Sequence, residues 1–232
     1  MQLKKLFLFF LLSIFFMLPN KLCLAQTPPD AGMWNTFSIE KGITKKFSIS
    51  MDEEVRLREN FSRLNLLYTN LGINFKAMKG SKASLTYRFI EKYDEDDMFS
   101  FRNRLMLDLS YKYRINKISL AYRSRLQAEC KKYFSSKNGK NPEWFWRHKF
   151  EIKYNTDRYE PYIGTELRYQ IRDPRNPDTD LGFHRIRIFA GLDYNITRKQ
   201  SAGIYYLIQR EFSVDDPQNL YILGLEYSIT LQ

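Results

Sequence analysis

Along most of this chain apolar and polar residues alternate with a period of two, which assigns each set to one face of a β-strand. The clearest stretch runs from Arg102 to Glu129. Leu105, Leu107, Leu109, Tyr111 and Tyr113 alternate with Arg104, Met106, Asp108, Ser110 and Lys112. After a short R-I-N-K break, Ile118, Leu120, Tyr122, Leu126 and Ala128 alternate with Ser119, Ala121, Arg123, Arg125, Gln127 and Glu129. One face is aliphatic and aromatic; the other is largely ionic. A water-soluble sheet would bury the first face and solvate the second, whereas a membrane barrel would set the first against lipid and the second in its lumen.

The same alternation predicts strands over Phe47 to Arg58, Leu67 to Ala77, Ala83 to Ile90, Trp146 to Tyr154, Ile163 to Arg172, Arg185 to Tyr194, Ala202 to Glu211 and Tyr221 to Leu231. Trp34 to Ile39 is a shorter alternating piece. No stretch keeps a helical period, and no composition break marks a domain boundary. The connections differ in length. Short turns fall at 77–82, 114–117, 155–158 and 195–199, and longer polar loops near 93–100, 130–142, 172–182 and 212–219. Short turns alternating with long loops are the habit of outer-membrane barrels. The expectation is a single antiparallel all-β barrel of about ten to twelve strands over residues 26–232, with 26–45 a lead-in carrying the first short strand. Ten strands from residue 46 onward would put both termini on the short-turn side.

The polar face separates lipid from a buried core. It is heavy in arginine, with acids on neighbouring strands: Arg56, Arg88, Arg104, Arg123, Arg125, Arg147, Arg168, Arg185 and Arg187 against Glu54, Asp108, Glu151, Glu166, Asp193, Glu211 and Glu226. Guanidinium forks suit crowded ionic interiors better than ammonium groups do, so these residues are expected to form an ion-paired lumen. Tyr111, Tyr113, Trp144, Trp146, Tyr154, Tyr169, Tyr194 and Tyr227 gather near strand ends on the apolar face, as interfacial girdles do. The expected role is structural, small-solute transport or surface interaction. The competing readings are a soluble exported lipocalin-like or sandwich module with an apolar ligand and, behind it, a lipid-modifying barrel enzyme.

The N-terminus points out of the cytoplasm. Lys4 and Lys5 precede the apolar run Leu6 to Leu18, and Leu22-Cys23-Leu24-Ala25 offers a cleavage site after Ala25. Residues 1–25 therefore read as a secretory signal peptide. Its removal takes three lysines and no acids, lowering the formal charge from +11 to +8. It also leaves Cys130 as the one cysteine, so no internal disulfide holds the fold.

The segments G-M-W-N-T-F-S-I-E-K (32–41), K-K-F-S-I-S-M-D-E-E-V-R-L-R-E-N (45–60) and L-T-Y-R-F-I (85–90) resemble a family of exported barrel proteins of Gram-negative bacteria, known as domain of unknown function 2490. The likeness spans the mature chain and is densest over residues 32 to 90. It implies an outer-membrane β-barrel and no established active residues. Leu231-Gln232 stands where outer-membrane barrels usually end on an aromatic residue.

Candidate chemistry is sparse. There is no G-x-S-x-G, H-E-x-x-H, cysteine pair or phosphate loop, and His148 and His184 share the parity of the apolar face, away from any lumenal serine. No catalytic, cofactor or metal site is expected. Asp94, Glu95, Asp96 and Asp97, like Asp173, Asp178 and Asp180, lack the ordered spacing of a calcium loop and read as solvated acids. Lys131, Lys132, Lys137 and Lys140, with Tyr133, Phe134 and Trp144, form a basic loop that is either plainly solvated or set toward anionic lipopolysaccharide. The expected partners are outer-membrane lipid, lipopolysaccharide and the outer-membrane assembly machinery, with no nucleic acid. The excess of basic over acidic lumenal residues would make a water-filled lumen weakly anion-preferring.

Overall fold

A computed structural model describes residues 30–93, 98–131, 142–174, 181–214 and 217–231. The signal-peptide segment, the acids at 94–97, Asp178 and Asp180, and Lys132, Tyr133, Phe134, Lys137 and Lys140 lie outside them. The described chain is eleven strands: β1 (Asp30–Gly42), β2 (Phe47–Arg58), β3 (Arg63–Met78), β4 (Ser81–Tyr93), β5 (Phe99–Ile115), β6 (Ile118–Lys131), β7 (Glu143–Tyr154), β8 (Tyr159–Arg172), β9 (Gly182–Asn195), β10 (Gln200–Glu211) and β11 (Asn219–Leu231). They close into one barrel in chain order. Every strand has at least twelve residues, more than the roughly 9–11 that a tilted transmembrane strand needs.

Ten of the neighbouring pairs are antiparallel, and the closing pair is not: β1 runs parallel to β11, from Asp30 beside Leu220 to Lys41 beside Leu231. The geometry forces this. Successive hairpins reverse direction at each strand, so the first and last of an odd number must point the same way. This corrects the sequence reading at three points. The short piece at Trp34 to Ile39 is a full closing strand, paired also with β2 from Met33 to Gly42. The barrel is not antiparallel throughout. Asp30 starts at the long-loop end, not the short-turn end. Outer-membrane barrels of single bacterial chains generally have even strand counts, so eleven is a departure. Closure leaves no edge strand to be covered.

The alternation sorts side chains as the barrel requires. Leu71, Ile73, Leu85, Leu105, Leu107, Leu109, Ile163, Ile188 and Ile204 face outward and are exposed, Ile73 at 58% and Leu109 at 59%. Aromatic pairs lie toward the two rims. Phe47–Phe75 and Tyr159–Tyr194 lie near the short turns, while Tyr93–Phe99, Phe89–Phe101 and Tyr169–Phe183 lie near the long loops. Polar groups on this face find local partners. Trp146 Nε1 donates to Ser124 Oγ at 2.8 Å, and Thr69 Oγ1 donates to the outward-facing Glu53 at 2.8 Å.

Register shifts sit near the strand ends, at Arg56/Leu57, Lys76/Met78, Trp144/Phe145 and Arg168/Tyr169. Bulges of this kind are common at barrel rims, where they re-aim side chains. The last overturns an expectation. Arg168 pairs with Arg185 and Tyr169 with Phe183, so His184 is the extra residue. Phe183 is 49% exposed on the outside, while His184 is turned into the lumen at 3%. His148 stays on the outer face, with its Nδ1 2.7 Å from the Tyr122 hydroxyl.

Candidate functional site

The inner face carries the ionic network, and its partners are set by which strands lie side by side. Glu166 on β8 is its centre. Arg147 on β7 pairs with it, Arg123 on β6 reaches it at 3.0 Å, and Arg187 on β9 reaches it at 3.2 Å. Arg125 binds Asp108 with two parallel bonds, at 2.7 and 2.6 Å, the bidentate geometry that guanidinium favours. Arg185 Nε donates to Glu211 at 2.8 Å, and Arg56 pairs with Glu54, whose carboxylate also accepts from the Tyr68 hydroxyl and from Thr36 Oγ1. Glu151 is held by Lys149 at 2.8 Å, and Asp193 by Lys153.

Three arginines of the expected set have other partners. Arg104 Nε donates to Glu129 at 2.9 Å. Arg168 has its guanidinium over the Phe145 ring and donates through Nε to His184 Nε2 at 3.0 Å. Arg88 donates to Asn70 at 2.6 Å and stacks 3.5 Å from the Tyr68 ring centroid. Glu226 faces the lumen with no hydrogen-bond or ion-pair partner among the described residues.

Part of the lumen is apolar, which the expected ion-paired interior does not include. Trp34, Phe189, Tyr205, Leu207 and Ile222 form a buried cluster along β9, β10, β11 and β1. Its rings fit because glycines oppose them. Gly224 is paired with Tyr205 and Gly164 with Phe189, and a Cβ on either glycine would run into the facing ring. Trp34 also stacks on Arg56, whose guanidinium carbon is 3.6 Å from its ring centroid. Trp34, Tyr68, Phe189 and Tyr205 are functional-wall residues that charge pattern alone passes over. The signal that finds them is parity: each shares the face of the lumenal charges, and glycines are paired with Trp34, Phe189 and Tyr205.

These walls enclose a cavity of about 390 Å³. Toward the long loops it is capped by buried side chains near the strand ends: Ile90, Met106, Gln127, Glu129, Phe145, Gln170, His184, Gln209 and Ile222. Toward the short turns the lumen has smaller residues, Ser84, Ser110, Ser201 and Ser228 half-buried and Ser48, Asn74 and Ser119 buried. Of these two layers, the bulky buried side chains are gathered at the long-loop end. Among the described residues no group of three His, Cys, Asp or Glu side chains is placed to hold a metal ion.

A family model described as "Protein of unknown function (DUF2490)" matches residues 31–220. That span starts inside the closing strand β1 and ends at the start of β11, so it takes in nearly all of the barrel. No curated protein matches the chain.

Proposed function

This chain belongs to the DUF2490 family of proteins of unknown function, and from that premise we propose that it is an outer-membrane β-barrel, non-enzymatic, whose ionic lumen handles a small solute. The observation that carries the reading is the inversion of its faces. Buried polar and charged groups, such as Glu54, Arg88, Asp108 and Glu166, lie inside, while large apolar side chains are exposed all round the outside. Monomeric soluble proteins rarely expose contiguous apolar patches beyond a few hundred Å², and a lipocalin-like module would turn the two faces the other way. Lipid satisfies the outer face, and closure satisfies every backbone group between the rims, which is the condition for crossing a bilayer as sheet. The aliphatic middle flanked by aromatic rims matches the layering of a membrane.

The N-terminal Lys4-Lys5, the apolar run after them and Ala25 support export; the short turns would then lie in the periplasm and the long loops outside. Glu53 is the poorest fit to lipid, and its bonds from Thr69 soften the mismatch; acids on a lipid face cost less than Arg or Lys do, which runs to about 2–4 kcal/mol at the midplane. The test is heat-modifiability of the protein from separated membrane fractions. Outer-membrane recovery with a gel shift on boiling in SDS is the expected result. Recovery in the soluble fraction with no shift would overturn the reading.

A further inference from the structure

We propose that the lumenal cavity is a blind binding pocket for a small organic anion, open at the short-turn end. Its size, about 390 Å³, is at the lower end of the roughly 300–1,000 Å³ typical of small-molecule sites. Its charge decides the ligand's sign. At the closed end Arg123, Arg147 and Arg187 share the single carboxylate of Glu166, which leaves two positive charges over. Arg88 adds a third, because among the described residues it meets only an amide oxygen and a tyrosine ring. Uncompensated charge in a low-dielectric site is costly, so a carboxylate or phosphate there gains from every guanidinium at once. Asp52, held in the same cavity by the Asn70 amide, offsets one of the three charges. Arg56–Glu54, Arg125–Asp108, Lys149–Glu151 and Lys153–Asp193 are already neutral pairs, so two positive charges are left over at the guanidinium end.

The apolar wall decides the ligand's body. Phe189, Tyr205 and Leu207 line the same cavity as the arginines, Phe189 two residues along its strand from Arg187, and they offer surface to a ring or short hydrocarbon but nothing to a bare inorganic ion. Glu226, with no partner among the described residues and nearer the short turns, repels a second negative charge in its ionised form and so favours a monoanion. The route in follows from what fills each end. Phe145, His184, Gln209 and Ile222 are bulky side chains buried in the layer on the long-loop side, at 1–4% exposure. The other mouth has smaller side chains, Ser84, Ser110, Ser201 and Ser228 half-buried and Ser48, Asn74 and Ser119 buried. The pocket itself stands on the barrel fold; only its approach from the periplasm rests on the outer-membrane reading.

Trp34 lines the cavity, while Trp144 and Trp146 share the outward parity of β7. A Trp144→Phe/Trp146→Phe protein therefore reports on the lumen by fluorescence. Benzoate is expected to give a saturable change, with benzylammonium, the same ring with the opposite charge, binding at least tenfold more weakly. Glu226→Gln should tighten benzoate several-fold. Arg88→Gln should weaken it several-fold, and so should Lys149→Gln, whose partly exposed side chain keeps that test open if the Arg88 variant does not fold. Equal affinity for the two ions, no saturable change, or a benzoate response indifferent to all three variants would overturn the pocket. If that happens on protein that still shifts on boiling, the pocket falls and the membrane reading stands. Saturable, charge-selective binding by protein that stays in the soluble fraction would do the reverse.

Discussion

Glu166 shows what a lumen built on shared ions asks of one residue. Its carboxylate is the common partner of three guanidiniums from three strands. Breaking a buried ion pair by removing one partner typically costs about 3–5 kcal/mol, because the other charge stays buried. Glu166→Gln should lower stability by about that much, read as the urea midpoint of the detergent-refolded barrel, with Glu166→Asp between it and the native protein. A midpoint unchanged by Glu166→Gln would mean that water, not the carboxylate, neutralises the cluster. Parity alone placed Glu166, Arg123, Arg147 and Arg187 on one face. It could not say that they meet. Arg123 and Glu166 are 43 residues apart and reach each other across the intervening β7, a relation that depends on register and tilt. The same holds for Arg104, whose partner is Glu129, across a pairing set by the β5–β6 hairpin.

At the scale of the element, β1 is where pattern and architecture part. From Trp34 to Ile39 it has too few alternations to read as a full strand, since Thr36 and Ser38 face inward without charge and Asn35 breaks the apolar set. Its status comes from its neighbours: it is hydrogen-bonded to β11 on one side and β2 on the other, and it adds Trp34 to the lumenal cluster. A strand paired on both sides cannot spare a backbone N–H to proline. Asn35→Pro should therefore abolish the heat-modifiable form, while Lys45→Pro in the β1–β2 turn should keep it; both are read on the same gel. A folded, shifting Asn35→Pro protein would show that β2 and β11 can close a ten-stranded barrel without β1. The start of β1 is also fastened. The Asp30 carboxylate accepts bonds from the amides of Glu59 and Asn60, at 3.1 and 3.2 Å. It steadies a turn in which Glu59, Asn60 and Phe61 all have φ between 54° and 70°, a region that bulky residues seldom occupy.

For the whole molecule, eleven strands lie between the small barrels that side chains fill and the large ones that conduct. Here bulky buried side chains fill the long-loop half, and smaller ones line the short-turn half. The protein reconstituted in a planar bilayer in concentrated KCl should show no conductance steps. Steps in the native protein would mean that the layer of Phe145, Gln127, Gln209 and Ile222 is not a seal, and the lumen would then be the anion-preferring pore that its charge balance suggests. The fold class was legible because a period of two is a local property, carried by each strand whatever it pairs with. The same periodicity determined which residues face in and which face out over nearly the whole chain, and so the inversion on which the functional reading rests. Only the tertiary structure decided the strand count, the parallel closing pair, the inward turn of His184 at its bulge, and the blind end of the cavity. Each of these depends on pairings between distant segments and on single-residue register shifts, to which local alternation is blind.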